Sequence, residues 1–355
     1  MNPFQSHYSN KTLSIKKAIG ITVLFFIISF IGINCHEIWS DESHSFLLGR
    51  DSNSLLDLYY NTRYEGHPLI WTYLMHLITR FSSNPFYMQL LHITISSSAV
   101  FIFLKNAPFK LWFKIAFLLS YFTLYEYTVI SRNYSLGVLF LFIACTFYVK
   151  RKEHFTTFCF FLALCCNTHA IFTIVSSTLL FSVFVEQIYE LKKVTYQNYW
   201  KGYIIFFAGI FISYLQIIPE SDTTFFERVD YFNAYETVKS GMSLFKALFP
   251  IVDFQETHYW NKFFFLEHFS TVSLVLGALV WIIPLLFFNK NKYVLLFLYT
   301  TILGFIAFVL ITQMHGIRYN GLLFITLIVG LWILPSKKNH PFIKKKLSKF
   351  NTNII

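Results

Sequence analysis

Apolar residues run along this chain in stretches of fourteen to twenty positions, broken by short polar segments, and that alternation predicts its elements. The apolar runs fall at 18–35, 86–104, 111–127, 134–149, 155–168, 170–189, 202–218, 269–288, 293–312 and 319–334. About 20 apolar residues in a helix cross the ~30 Å hydrocarbon layer of a bilayer. Segment His67–Arg80 is also apolar but short, and polar clusters bound it, so it is expected to lie along the outer interface as an amphipathic helix. The expected fold is therefore all-α: a polytopic membrane protein with about ten transmembrane helices and one interfacial helix. It forms a single domain over 1–355, with a first outer loop at 36–85, a larger outer loop at 219–267 and a basic tail at 336–355.

Composition agrees with that pattern. Only 13% of the residues are charged, where a soluble chain carries roughly a quarter. Lys11, Lys16 and Lys17 precede the first run and no small-residue cleavage site follows it, so a retained helix is expected. With the N-terminus inside, the inner segments hold 20 of the 29 basic residues, and of the 18 acids only Glu153, Glu186 and Glu190 fall there. Basic excess alternates from loop to loop, as the positive-inside rule requires. Were His67–Arg80 a span, every later loop would invert. The expectation is a multi-pass protein of the plasma (inner) membrane with both termini cytoplasmic and its tail against anionic headgroups. The net charge of +11 is thereby a topology signal, and no nucleic-acid partner is expected. Cys35, Cys145, Cys159, Cys165 and Cys166 sit in or beside apolar runs, with spacing that suits neither zinc nor a disulfide framework.

Candidate chemistry gathers at one face. The chain has no phosphate loop, no Gly-x-Gly-x-x-Gly and no Gly-x-Ser-x-Gly, and His36-Glu37 lacks the second histidine of the zinc-protease pattern. The densest polar cluster, 36–44, leaves the first helix directly. Asp41 or Glu42 there could act as a base toward a hydroxyl, with His44 beside them. A divalent metal on these groups is open, but nothing in the spacing selects it, and no cofactor is expected. Glu65 and His67 form a second cluster, with Pro68 suited to the first turn of the interfacial helix. Arg132 and Arg318 lie in very short loops at the outer boundary, where an arginine is costly unless it reaches water or pairs. Snorkelling to headgroups is the plain alternative. His169 occupies a tight turn at the same level. Span centres are nearly free of ionisable groups, whereas ion-coupled transporters place such groups near the midplane.

Several of these elements occur in order over roughly 18–190. A first helix leads to Asp41-Glu42; then come Tyr-Glu-Gly-His-Pro-Leu-Ile-Trp-Thr-Tyr, Asn84-Pro85-Phe86, Ser131-Arg132-x-Tyr134 and the Thr168-His169 turn, with Arg318-Tyr319 near the C-terminus. In this the chain resembles the C-type membrane glycosyltransferases, the superfamily of protein O-mannosyltransferases and lipid A aminoarabinose transferases. It departs from them in having one proline after His67 where the family often has two, and in lacking their sizeable outer C-terminal domain. The resemblance implies a polyprenyl-phosphate-linked sugar as donor and a lipid, glycan or protein hydroxyl as acceptor, with inversion at the anomeric carbon. It implies Asp41 as general base, Arg132 and Arg318 on the leaving phosphate, and Glu65 with His67 positioning substrate. A lipid or glycan transporter of the flippase kind is the alternative function; it would line a path at mid-depth with polar groups.

Overall fold

A computed structural model describes residues 13–63, 65–190, 199–218, 234–253, 262–314 and 316–334. Among them the regular structure is helical, and one isolated antiparallel bridge, Val252 to Phe263, is the only extended pairing. Among the described residues six helices are long and apolar enough to cross a membrane, which is compatible with a membrane location. The basic tail 336–355, Lys192, Lys193 and parts of the loop 219–267 lie outside the described residues.

The first long helix, α1 (Ile15–Asn34), begins where Ser14 accepts the backbone N–H of Lys17, a conventional N-cap. Three helices follow where the sequence suggested one: α2 (Ser40–Asp51), α3 (Leu55–Asn61) and α4 (Ile70–Thr79). Helix α4 corresponds to the expected interfacial helix, but Pro68 stands before it rather than in its first turn. The Leu69 N–H that follows donates instead to Gln216 Oε1 at 2.7 Å. The preceding turn uses Gly66 at φ +63°, a conformation that favours glycine. Phe46 of α2 and Trp71 and Met75 of α4 form a small apolar cluster with Met88, Ile95 and Leu136, fixing these outer helices to the bundle.

Helix α5 (Phe86–Asn106) packs on α1. The run 111–127, expected as one span, breaks into α6 (Leu111–Leu118) and a π-helical turn at Tyr121–Glu126. Ser120 sits at the break; its hydroxyl donates to the Phe117 carbonyl and accepts the Thr123 N–H, diverting the helical ladder. Helices α7 (Tyr134–Tyr148) and α8 (Phe155–Cys166) are packed together, and at 1.5 Å per residue α8 is only about 18 Å long. Helix α9 (Ala170–Glu190) leads to α10 (Trp200–Ile217), which lies against α8. A Cβ at Gly209 would collide with Ala163, so this close crossing needs glycine there.

The outer loop expected over 219–267 is partly a buried element. After α11 (Ala234–Gly241), α12 (Ser243–Leu248) buries Leu244, Phe245 and Ala247 in the main core against the last helix. The Gly241 carbonyl meets Trp281 Nε1 at 3.2 Å. This segment thus folds back into the bundle. Its three apolar side chains are too few for a span but enough to be withdrawn from water. Then come α13 (Phe264–His268), α14 (Ser270–Val280), α15 (Ile283–Phe288), α16 (Lys292–Thr312) and α17 (Ile317–Ile333). Helices α14 and α15 interrupt the run 269–288 near Pro284.

The long helices alternate in direction and give the bundle two unlike ends. At one end Lys105 Nζ meets the Leu13 carbonyl, and Arg151 pairs with Glu186. At the other end the C-terminus of α1 and the N-termini of α2, α7, α9 and α17 come together. Outward faces of α1, α10 and α14 expose Ile19, Val23, Ile27, Phe207, Phe211, Val275 and Leu279. Such exposed apolar faces suit a lipid solvent.

Candidate functional site

At the end opposite Lys105 and Arg151, Asp41 meets two arginines remote from it in sequence. Arg132 and Arg318 each place a guanidinium nitrogen on the same carboxylate oxygen, Oδ2, at 2.7 and 3.0 Å. Their side chains are only 8% and 18% exposed, against 36% for Asp41. Neither arginine therefore snorkels; each has the carboxylate as its counter-charge. Burial pushes the Asp41 carboxyl up, but the two arginines outweigh it and hold it below the usual carboxylate range.

Local chemistry sets each group. Asp41 stands in the first turn of α2, where acids are favoured. Arg132 lies in a loop fixed from three sides. His92 of α5 places its ring nitrogens 3.0 and 2.9 Å from the Thr128 and Arg132 carbonyls. Asn133 Nδ2 donates to the Thr168 carbonyl at 2.7 Å, and the Ser131 N–H donates to Glu42 at 2.6 Å. Arg318 stands in the first turn of α17 with its guanidinium 4.8 Å from the Trp39 ring centroid and 5.1 Å from that of Tyr319. Its backbone carbonyl accepts from the Tyr127 hydroxyl at 2.6 Å.

Glu42 has a different place from the one expected. It is fully buried and accepts from the Trp39 and Ser131 backbone N–H groups, with His36 Nε2 at 2.8 Å. Burial raises its carboxyl, yet these hydrogen bonds together bring it below the ordinary value. With its oxygens so engaged, Glu42 ties α2 to the Arg132 loop instead of meeting an acceptor hydroxyl. His44 and Glu65 also separate from the centre; they pair with each other at 2.6 Å, nearer to solvent.

His67 and His169 do converge. Their ring centroids are 4.8 Å apart, and His169 also packs on Tyr134 and Tyr319 at 5.1 and 5.9 Å. Burial, then the positive field of Arg132 and Arg318, lowers His67 to about 3. Burial and the neighbouring His67 and arginines take His169 well below its ordinary value. Both rings are therefore neutral at pH 7. His169 Nδ1 accepts the Ile171 N–H at 3.1 Å, which leaves the ring proton on Nε2.

Several polar atoms in this group are buried without a hydrogen-bond partner in the protein: His169 Nε2, His67 Nδ1, the Tyr134 hydroxyl and Arg318 Nε. A buried polar atom left unpaired costs about 1–3 kcal/mol. Their rings touch in sequence from His67 through His169 to Tyr134 and Tyr319, beside Arg318, so the unpaired atoms share one region. Three of the four are donors, and two cations lie next to them. The arrangement is suited to an anion with several oxygens, close to a carboxylate able to take a proton. Among the described residues, no three His, Cys, Asp or Glu side chains are grouped to hold a metal ion.

Beside this centre lies a cleft of about 400 Å³, lined by Glu37, Trp39, Tyr125, Glu126, Ile317 and Arg318 among others. Glu126 was not singled out from the sequence, although it and Glu186 are the two acids that fall within the apolar runs. The Tyr134 and Tyr319 rings were visible only as motif neighbours of the arginines. No protein-family model matches the chain, and neither a curated protein nor a solved structure matches it.

Proposed function

We propose that this chain is a multi-spanning glycosyltransferase of the C-type membrane superfamily. It crosses the plasma membrane ten times with both termini cytoplasmic, and moves a sugar from a polyprenyl-phosphate donor to an acceptor hydroxyl at the outer face. The observation that carries this reading is the pair of buried arginines on one Asp41 oxygen, surrounded by unpaired buried donors.

The chemistry follows from that contact. A phosphate brought to the centre competes with Asp41 for Arg132 and Arg318, and offers more oxygens to their planar forks. His169 Nε2–H and the Tyr134 hydroxyl can donate to the same group. Once the arginines turn to phosphate, the Asp41 carboxylate loses the charges that depress its basicity. The acceptor oxygen then attacks the anomeric carbon from the face opposite the phosphate. The new carbon–oxygen bond forms as the bond to the phosphate oxygen breaks, and that oxygen keeps the electron pair. The acceptor proton passes to Asp41, and the anomeric configuration inverts. Charge growing on the departing phosphate is stabilised by donors already in place.

The test uses the purified protein in lipid nanodiscs with a polyprenyl-phosphate sugar, following donor binding and sugar release together. Arg132→Lys and Arg318→Lys should each weaken donor binding roughly ten- to hundredfold, because a point ammonium loses a charge-assisted contact worth ~1.5–3 kcal/mol. Unchanged binding in both variants rejects the phosphate site. Movement of the intact lipid across the bilayer, without sugar release, makes the protein a transporter.

A further inference from the structure

Glu126 has no part in that scheme, and its position is unusual. It is a carboxyl group only 5% exposed, at the end of an apolar run and on a π-helical turn. Turns of this kind widen a helix locally and recur at functional sites. A buried acid in such a segment is costly unless something engages it. The Tyr121 hydroxyl donates to Glu126 Oε2 at 2.9 Å. The carboxyl also lines the 400 Å³ cleft between the end of α1, the π-helical turn and the start of α17.

The walls of this cleft are mixed in a particular way. Trp39, Tyr125, Ile38, Ile130 and Ile317 supply apolar and aromatic surface, while Glu37 and Glu126 bring carboxylate acceptors. Arg318 lines the cleft and also binds Asp41, so the cleft opens directly onto the centre proposed for phosphate. Its volume lies at the small end of ligand sites, ~300–1,000 Å³, which is monosaccharide scale rather than that of a lipid tail or a polymer. Carboxyl groups that accept from hydroxyl groups, set among aromatic rings, suit a polyhydroxylated ring.

We infer that this cleft is the subsite for the sugar of the donor, with Glu126 accepting from its hydroxyls and setting which sugar is taken. The inference rests on the glycosyltransferase reading, because the shared Arg318 places the sugar next to its own phosphate. Glu126 is a specificity group here, distinct from the proton-accepting Asp41.

The experiment compares two lipids on the full chain in nanodiscs: bare polyprenyl phosphate and the same lipid carrying its sugar. Wild-type protein should bind the sugar-bearing lipid at least tenfold more tightly. Glu126→Gln should reduce that preference to within about threefold while leaving the bare lipid's affinity unchanged. Because Glu126 is buried, Ile38→Trp serves as a second variant that fills the cleft from a partly exposed position. It should exclude the sugar-bearing lipid and spare the bare one. A preference that survives both variants, or equal weakening of both lipids, overturns the sugar subsite while the phosphate site stands. If bare polyprenyl phosphate fails to bind the wild type, the glycosyltransferase reading falls and the subsite falls with it.

Discussion

Asp41→Asn separates the structure's account of the centre from the one the sequence suggested. From the sequence, the phosphate-binding arginines lie apart from Asp41, so its replacement should leave donor binding untouched. In the structure both arginines rest on Asp41 Oδ2, and phosphate must displace that carboxylate. Removing the charge therefore removes a competitor. A charge-assisted contact is worth ~1.5–3 kcal/mol when well shielded, but Asp41 is 36% exposed and solvent screening brings an ion pair toward ~1 kcal/mol or less. Taking about 1–2 kcal/mol for the two contacts together, polyprenyl phosphate should bind roughly 5- to 30-fold more tightly to Asp41→Asn. Sugar transfer should fall ~10²–10⁴-fold, the usual worth of a positioned base. The assay is equilibrium binding of bare polyprenyl phosphate alongside single-turnover sugar release, on protein whose folding is verified by a cooperative thermal transition. Binding that is unchanged or weaker in the folded variant would falsify the competition, and normal transfer would remove Asp41 from the chemistry.

Other expectations concern Glu42, pH and topology. Glu42→Gln should act through stability: an amide places N–H groups against the Trp39 or Ser131 donors, costing about 1–3 kcal/mol, seen as a lower thermal midpoint with KM for donor unchanged. His67 titrates at about 3 in the fold against 6.5 when unfolded, so its contribution to stability is complete above pH 6.5. That contribution declines by up to ~1.4 kcal/mol per pH unit as pH falls toward 3; thermal midpoints from pH 7.5 to 5 should fall less steeply in His67→Gln. The lowered Asp41 and Glu42 pKa values act in the same sense further down, since that stability is lost as pH falls through their folded values. A reporter fused after Lys152 should read cytoplasmic and one inserted near Asp230 external; an external signal after Lys152 would contradict the ten-span arrangement.

Helix positions were legible in the sequence because apolar run length is a strong, local signal, and α1, α5, α9, α10 and α16 lie where the runs predicted. Interruptions within runs were harder to see. Nothing in Leu119–Ser120 announces a break by hydropathy; it depends on Ser120 taking over backbone bonds at both sides. The burial of α12 was illegible for a related reason. Its sequence, Ser-Leu-Phe-Lys-Ala-Leu, has one apolar face like any surface helix, and only its packing against α17 decides where that face goes.

At the site, the sequence identified charged residues at the outer boundary but not their partners. Asp41 and Arg318 are 277 positions apart, and no local spacing rule reaches that far. Each arginine alone allowed two outcomes, a side chain extended to headgroups or one paired within the protein. Burial decides between them: at 8% and 18% exposure neither guanidinium reaches the surface freely, so each needs a counter-charge inside. Asp41 supplies one negative charge for the two positive ones it touches; Glu42, the adjacent acid, is consumed by backbone donors and His36, and Glu126, in the adjoining cleft, is engaged by the Tyr121 hydroxyl instead of by either guanidinium. The Asp41–arginine cluster is therefore left with net positive charge beside His169 Nε2–H and the Tyr134 hydroxyl, both buried and unpaired. A second negative charge would balance it, and a phosphate carries both the charge and the oxygens that these donors lack. Burial is the main reason that His67 and His169 stay neutral, and the same imbalance adds to it, because a proton on either would bring a third positive charge to the group.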